Sequence, residues 1–426
     1  SSGSRFLIGC DTTDGSSGRQ SSVGSSGAWS TTPSHPLFRV SDVPVEMHAH
    51  FFSYKNGWYA VRSPINGGAP EIYINGDRGR ASTGAGQAQG STTLIDNSKV
   101  FATNQFANAV LYIWSGTGAG QARVINTNTS NTINVSSAWN VNPISADSEY
   151  VILGSNIWSS IGVSLSTTLP SQPLVSNGVV YFPQGENHNL WRIQHVAPNT
   201  YNSTNDGTTA NRAHFLEKVF APDGAQVWRG LNQAISNAVV AHADPQDWGT
   251  NLTFSSNITV GDRDHKITGL ERYGDPEALW VFKDGEAPFR IIDDVPQQIP
   301  LREMEAVKSV NNGVAHEVGD VYLYFSLLNS VQRYFRNNLD DVGPNVDDGL
   351  QPAYQGPVVA MVSYPGRIYA AVDAESSGFN SIQVNNGFGW HPFYRSPIVG
   401  GTRIRNIAIQ PIPGPTPDRL WVSEGP

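Results

Sequence analysis

The chain alternates short apolar runs with turn-forming residues, and this pattern predicts many short β-strands. Lys266–Tyr273 is followed by a turn at Gly274–Pro276 and then by Ala278–Phe282, and the same order recurs in Pro357–Val372 and Arg403–Val422. The units follow one another at roughly 40 to 50 residues, which is typical of propeller blades. Since one blade cannot cover both of its faces, the pattern predicts an all-β fold, a β-propeller of roughly six to seven blades.

Hairpin signals extend the pattern toward the N-terminus. Trp58–Val61 follows an Asn-Gly pair, and Glu71–Ile74 precedes another one at Asn75–Gly76. Both residues of such a pair tolerate positive φ and favour the turn of a hairpin. We therefore expect the first propeller strands in residues 36–90 and the remaining blades in residues 154–426.

Residues 91–153 carry a different pattern and predict a separate module. Their strand-like runs are Thr93–Ile95, Ala109–Trp114, Gln121–Ile125, Thr132–Val135 and Tyr150–Leu153. We expect a small β-barrel or sandwich inserted into the propeller. Residues 1–35 are rich in Ser and Gly, and a segment that buries so little apolar surface does not offset its ordering entropy. That range predicts an extended N-terminal arm.

Composition excludes several classes of partner and site. Charged residues make up 15% of the chain and the formal net charge is −9, which argues against nucleic acid as a partner. Cys10 is the single cysteine, so an internal disulfide framework is excluded. The sequence has no apolar run of about 18 residues, and we expect no membrane partner.

Two patterns of acidic or histidine residues are candidates for metal sites. Glu46, His48 and His50 alternate and would share one face of a strand, a geometry that can hold a divalent cation. Four carboxylates fall close together in a second segment, where calcium is the alternative, at Asp340, Asp341, Asp347 and Asp348. Neither pattern supplies a complete ligand set, so we predict no metal site, no cofactor and no catalytic residue.

Aromatic residues near turns are candidates for contact with a protein partner or a glycan. They are Trp114, Trp139, Trp248, Trp390 and Tyr394, and packing in the core is the alternative for most of them. Several propellers cleave glycans with paired carboxylates. The carboxylates that cluster in sequence are Asp244, Asp247, Asp262, Asp264 and Glu271, of which Asp262–His265 is the segment that could face a central channel. Aspartates before a strand usually serve turns through side-chain to backbone bonds, which is the alternative interpretation here.

Two stretches resemble known proteins. Tyr112–Ile125, with Thr132–Val135, Ala138–Trp139 and Asp147–Tyr150, resembles a β-module that recurs in bacteriophage virion proteins. Three later segments resemble tail-associated phage proteins: Ile267–Gly285, Gly389–Pro392 and Asp418–Trp421.

This resemblance implies a non-catalytic structural protein of a virion, associated with the tail or neck. The expected partners are other virion proteins of the tail, neck or capsid, bound in multiple symmetric copies, and the expected location is the virion. The alternative is a host-attachment propeller that binds or cleaves carbohydrate, in which case a host surface glycan is the partner.

Overall fold

The computed structural model describes the chain in sixteen segments. They are residues 6–10, 18–22, 29–31, 49–62, 69–82, 90–144, 146–166, 168–207, 209–233, 237–262, 264–299, 309–343, 356–374, 380–387, 389–395 and 403–425. Within these segments the chain forms 35 strands, together with a short 3₁₀ turn at Thr209–Asn211. No helix in the described segments is long and apolar enough to reach across a lipid bilayer.

Six antiparallel sheets of four strands form the body of the protein. The first consists of β4 (Ala49–Tyr54), β5 (Gly57–Arg62), β6 (Glu71–Asn75) and β13 (Trp158–Ser164). The second consists of β14 (Leu174–Ser176), β15 (Val179–Phe182), β16 (Trp191–Ala197) and β17 (Thr200–Asn205). The third consists of β18 (Phe215–Ala221), β19 (Gly224–Gln233), β20 (Asn237–Ala243) and β21 (Ile258–Thr259).

The next three sheets repeat the meander. The fourth holds β22 (Ile267–Tyr273), β23 (Ala278–Lys283), β24 (Phe289–Ile292) and β25 (Val295–Gln298). The fifth holds β26 (His316–Gly319), β27 (Tyr322–Leu327), β28 (Ser330–Phe335) and β29 (Asn338–Asp341). The sixth holds β30 (Val358–Tyr364), β31 (Arg367–Val372), β32 (Ser381–Asn385) and β33 (Trp390–Arg395). A hairpin of β34 (Arg403–Gln410) and β35 (Arg419–Gly425) follows.

The first strands of successive sheets follow one another around an axis. Strand β14 lies beside β18, β18 beside β22, β22 beside β26, β26 beside β30, β30 beside β34, and β34 beside β4. Gln172, just before β14, donates from Nε2 to the carbonyl of Phe51 in β4 at 2.8 Å, which joins the second sheet to the first. The ring closes where β34 of the last hairpin meets β4 of the first sheet. The fold is all-β and propeller-like, as the repeat pattern predicts. The count of six to seven blades stays a prediction.

The hydrophobic cores lie between neighbouring sheets. Trp228 of the third sheet packs with Leu270 and Val281 of the fourth, and Trp280 of the fourth packs with Phe325 of the fifth. The repeated Leu-Trp and Ile-Tyr strands therefore fill the spaces between sheets. Apolar burial of this kind contributes roughly 25 cal/mol per Å² of area removed from water.

The inserted module is a sheet of six strands with its own core. It runs in the order β7 (Arg78–Arg80), β12 (Glu149–Leu153), β9 (Val110–Ser115), β10 (Ala122–Asn128), β11 (Thr132–Val135) and β8 (Thr93–Ile95). In the chain it separates β6 from β13, which pair in the first sheet. The pair Asn75–Gly76, expected to close a hairpin, instead leads from β6 into β7, because the partner of β6 follows the whole insertion.

The N-terminal range 1–35, expected to be an extended arm, contains three strands. They are β1 (Phe6–Cys10), β2 (Gly18–Ser22) and β3 (Trp29–Thr31), paired in one antiparallel sheet. Strand β1 lies beside β35 of the C-terminal hairpin. Main-chain pairing with neighbouring strands gives these residues order that their apolar content alone does not predict, and the role of this range as an extended arm stays a prediction.

Candidate functional site

The histidine and aspartate patterns do not form metal sites in the described part of the chain, where no group of three or more His, Cys, Asp or Glu side chains could hold a metal ion. His50 lies on β4 at the ring closure, with Nδ1 3.3 Å from Nδ2 of Asn406. Burial lowers the pKa of His50 to about 4. Its partners Glu46 and His48 lie outside the described residues.

Only part of the second candidate metal pattern lies in the described residues. Asp340 forms an ion pair of 2.9 Å with Arg333 on the neighbouring strand. Asp341 accepts hydrogen bonds from the hydroxyl of Ser330 and from the amide of Gly343. These two carboxylates therefore serve the sheet and its turn. Asp347 and Asp348 lie outside the described residues.

The aromatic contact candidates are less exposed than their place near turns suggests. Trp139, Trp390 and Tyr394 are 5%, 5% and 8% exposed, so these three side chains lie in cores, which is the alternative that the sequence leaves open for them. Each fills a core between strands, and the indole of Trp390 donates to the carbonyl of Val342. Trp114 and Trp248 are partly buried beneath guanidinium groups, Arg78 and Arg192 respectively, at 5.2 Å.

A cleft opens where the turns of the third, fourth and fifth sheets meet. Its volume is about 1480 Å³. This exceeds the roughly 300–1,000 Å³ of most small-molecule sites, so the cleft has room for an extended ligand. The candidate Asp262 is not among its lining residues; its side chain caps the amide of Asp264 at 2.8 Å, which is turn chemistry.

Each of the three sheets beside the cleft carries one transverse row of a carboxyl, an aromatic and a basic residue. In the fourth sheet Glu271 pairs with Trp280, and Trp280 pairs with Arg290. Directly opposed residues of an antiparallel sheet project to the same face, with Cβ atoms about 4.5–5.5 Å apart. The corresponding rows are Glu217–Trp228–His242 in the third sheet and Glu317–Tyr324–Arg333 in the fifth.

The basic residues of the three rows differ in their partners. His242 lies 3.3 Å from Asp294, which belongs to a turn of the next sheet. Arg333 is paired with Asp340 through Nη2, although its Nε is also buried without a partner. Arg290 forms no hydrogen bond or ion pair with any described residue, and its Nε is buried without a partner. The middle row therefore contains a guanidinium group that no carboxylate of the described chain neutralises.

The same row holds a second unsatisfied donor. Trp280 is 1% exposed, and its indole Nε1 has no acceptor among the described residues. The ring packs edge-on against Tyr334 with centroids 4.7 Å apart. The unpaired indole nitrogens of Trp58, Trp139 and Trp158 are buried in the same way, so this donor belongs to the core and a ligand in the cleft does not reach it.

Acidic groups outnumber basic groups around the cleft. Arg272, Arg290, Arg336 and His242 are the basic lining residues. The acidic ones are Asp223, Glu271, Asp275, Glu277, Asp293, Asp294, Glu317 and Asp320. The net charge of the lining residues stays negative even with Glu271 and Glu317 uncharged, so the cleft as a whole repels an anionic ligand.

The three row glutamates have raised pKa values. Burial raises the pKa of Glu217 to about 7, and the nearby Glu277 and Glu317 add to the rise while Arg272 opposes it. Burial also holds the pKa of Glu271 well above its usual range, with further contributions from Glu217 and Glu317. Burial raises the pKa of Glu317 as well, against a hydrogen bond from Ser363. A neutral carboxyl group can donate a hydrogen bond as well as accept one.

The raised pKa of Glu217 predicts a contribution of this residue to stability that falls as pH rises from about 4.5 to about 7, whereas buried histidines with lowered pKa values, such as His50, contribute in the opposite direction. In that window the unfolded Glu217 is ionised while the folded one keeps its proton, so unfolding releases a proton. We expect Glu217→Gln to flatten the fall and to raise the free energy of unfolding at pH 8 by on the order of 2 kcal/mol. Chemical denaturation at pH 5, 6, 7 and 8 measures this. An unchanged pH slope in the variant would contradict it.

Sequence reasoning missed the three rows, although a signal is present. In each of the three sheets a glutamate precedes an aromatic residue across a turn. The number of residues between the two differs among the pairs Glu217–Trp228, Glu271–Trp280 and Glu317–Tyr324. The turns differ in length, so the rows align only when the strand register is known. Arg290 carries no sequence signal of its own.

Comparisons with known proteins add a likeness of fold. No family model matches the chain, and no curated protein matches it. A candidate 6-phosphogluconolactonase of Bacteroides uniformis is 13% identical, with 83% of this chain and 97% of that chain covered and a TM-score of 0.38. Aleuria aurantia lectin in complex with alpha-methyl-L-fucoside is 9% identical, with 92% and 95% covered and a TM-score of 0.31. Neither likeness carries an argument about activity.

Proposed function

We propose that this chain is a non-catalytic structural protein of a bacteriophage virion, located in the tail or neck, that binds neighbouring virion proteins. The observation that carries the proposal is the inserted module, which has its own core and interrupts the first sheet between β6 and β13. The resemblance to phage virion proteins covers the strands of this module. A closed ring of sheets supports such an appendage without exposing open sheet edges.

The junction between module and propeller supports a role in holding a partner at a fixed position. Arg78 of β7 is 1% exposed and donates to the phenol of Tyr59 at 2.7 Å and to the carbonyl of Lys55 at 3.1 Å. Tyr59 is hydrogen-bonded to Tyr201 of the second sheet at 2.9 Å. One side chain thereby ties the module to two propeller sheets.

The module also presents an apolar side chain to solvent. Val100 is 91% exposed. A single exposed apolar side chain is ordinary on a protein surface, so Val100 serves here as a probe of whether the module is the contact. We expect Val100→Asp to lower incorporation into particles several-fold while the purified protein keeps its melting temperature. The matched control is Val310→Asp on the propeller, where the valine is 73% exposed and incorporation should not change.

Quantitative mass spectrometry of purified particles tests both levels of this proposal. We expect the chain in a fixed number of copies per particle that matches the symmetry of the tail or neck. Absence from purified virions would contradict the structural role. Equal incorporation of the two valine variants would contradict the module as the contact.

The cleft favours a second candidate function, a host-attachment propeller that recognises or cleaves carbohydrate. Sugar hydroxyl groups both donate and accept hydrogen bonds, and the middle row offers a carboxyl group and a guanidinium group at neighbouring positions. The raised pKa of Glu271 would also suit a general acid. Binding to a glycan array tests recognition, and release of reducing ends from a bound glycan tests cleavage.

A further inference from the structure

We infer that the cleft is a binding site for an uncharged saccharide chain, and that the guanidinium group of Arg290 is the donor that holds its oxygens. The inference rests on the second candidate function above and names its ligand class and its contact residue. It starts from the middle row, where Arg290 has no carboxylate partner among the described residues.

The contrast between the three rows points to Arg290. Its side chain is partly buried on β24 and lines the cleft. The basic residue of each flanking row has a carboxylate partner, Asp294 for His242 and Asp340 for Arg333. A guanidinium group without such a partner at the wall of a cleft favours a ligand that supplies oxygen atoms.

The charge around the cleft decides which oxygen-bearing ligand fits. A phosphate, sulfate or carboxylate would satisfy Arg290, but the surrounding aspartates and glutamates outnumber the basic groups and repel it. Hydroxyl, ether and amide oxygens accept from the same donors and carry no charge. The cleft therefore selects neutral saccharides against anionic ones.

Glu271 lies at the opposite end of the row from Arg290. It belongs to β22 and lies opposite Trp280 of β23, and its carboxyl group accepts a hydrogen bond from the amide of Arg272. A hydroxyl-bearing ligand can use this carboxyl as donor or acceptor while its other oxygens face Arg290. Adjacent hydroxyl groups on a sugar ring provide such pairs, whereas a peptide segment presents its polar atoms at alternate positions on two sides.

The size of the cleft favours a chain of sugars over a single ring. The cleft spans three sheets, and at about 1480 Å³ it exceeds the usual volume of a small-molecule site. Glu317 lines the cleft at the position on the fifth sheet that Glu271 occupies on the fourth. Successive units of one saccharide can therefore meet a carboxyl group on each of these two sheets.

The experiment compares two arginine variants at the same position of neighbouring sheets. Arg290→Met removes the unpaired guanidinium group of the cleft, and Arg333→Met removes one that is paired with Asp340 and does not line the cleft. The wild-type chain is first applied to an array of neutral hexose and N-acetylhexosamine oligosaccharides with their sialylated and sulfated counterparts. Affinity for the best neutral oligosaccharide is then measured by calorimetry for all three proteins.

We expect neutral oligosaccharides to bind better than their anionic counterparts. Affinity should fall about 10- to 100-fold in Arg290→Met and stay within about twofold in Arg333→Met. Circular dichroism melting confirms that both variants are folded.

The possible failures separate the inference from the function on which it rests. Binding to neutral saccharides that both arginine variants retain would keep the carbohydrate function and overturn the assignment to this cleft. Preference for sialylated or sulfated chains would overturn the ligand class. Binding to no saccharide would overturn both, while the virion role would still be decided by the composition of particles. Saturation of the cleft by a virion protein, seen as cross-links to its lining residues, would replace the saccharide as occupant.

Discussion

Replacing Trp421 by alanine is expected to lower the free energy of unfolding by about 3–5 kcal/mol. The indole is 1% exposed and packs edge-on against Trp158 with centroids 4.8 Å apart, and Phe51 lies at 6.4 Å. Its Nε1 donates to Oε1 of Gln410 at 2.8 Å, so truncation also leaves a buried acceptor unpaired. Because Trp421 belongs to the last strand and Trp158 and Phe51 to the first sheet, the loss falls on the closure of the ring.

Two controls separate loss of closure from loss of volume. Trp421→Phe keeps an aromatic ring and should cost less than the alanine variant. Trp139→Ala removes a tryptophan of similar burial from the core of the inserted module. Hydrogen exchange should show β34, β35 and β4 opening in Trp421→Ala, and the module strands opening in Trp139→Ala. Equal exchange patterns in the two variants would contradict a specific role in closure.

Replacing Gly76 by alanine is expected to destabilise the protein by about 3–5 kcal/mol. Gly76 has a φ of 77°, and a Cβ added there would lie 2.3 Å from the carbonyl oxygen of Ile152. Both the conformation and the contact are unfavourable, and the oxygen belongs to a backbone that pairs on both sides in the module sheet. The module must shift relative to the first sheet to make room.

Gly162→Ala is the matched control for conformation alone. Gly162 has a similar φ of 71°, but a Cβ added there meets nothing within 4 Å. We expect a cost of about 1–2 kcal/mol, the ordinary penalty of left-handed backbone for a residue with a side chain. Urea denaturation of both variants measures the difference. Equal costs would show that the carbonyl of Ile152 moves aside without penalty.

The blade strands could be predicted because each carries its own signal. Lys266–Tyr273 and Ala278–Phe282 correspond closely to β22 and β23, and Thr93–Ile95 and Thr132–Val135 coincide with β8 and β11. Apolar runs bounded by Gly, Pro and Asn are a local property, so no knowledge of the fold is needed to find them.

Strand β7 shows where local signals fail. Arg78, Gly79 and Arg80 have no apolar alternation, yet they pair with β12. Arg78 is buried because two phenols and a carbonyl from elsewhere in the chain surround it, and Gly79 leaves room for the carboxyl group of Asp96 and the phenol of Tyr150. These partners are distant in sequence, so composition could not reveal the strand.

The sequence could not predict the cleft for the same reason, and the aromatic residues near turns did not indicate its position. Trp390 and Tyr394 stand near turns but fill cores, whereas the unpaired Arg290 stands in an ordinary apolar strand. Whether an arginine has a partner depends on the neighbouring sheet, as the contrast with Arg333 shows. A charged side chain is left without a partner because of the way neighbouring sheets pack, and a sequence pattern does not contain that information.

The closure of the ring joins strands that the ribosome makes far apart in time. The amide of Ala49 in the first sheet donates to the hydroxyl of Ser423 in the last strand, a partner 374 residues later. At about 5–20 residues per second a ribosome needs roughly 20–75 seconds to make that stretch. During this interval the side of β4 that later contacts the final hairpin is uncovered, and it can pair with other chains. A nascent protein of this design gains from a chaperone that covers β4 until the final hairpin emerges.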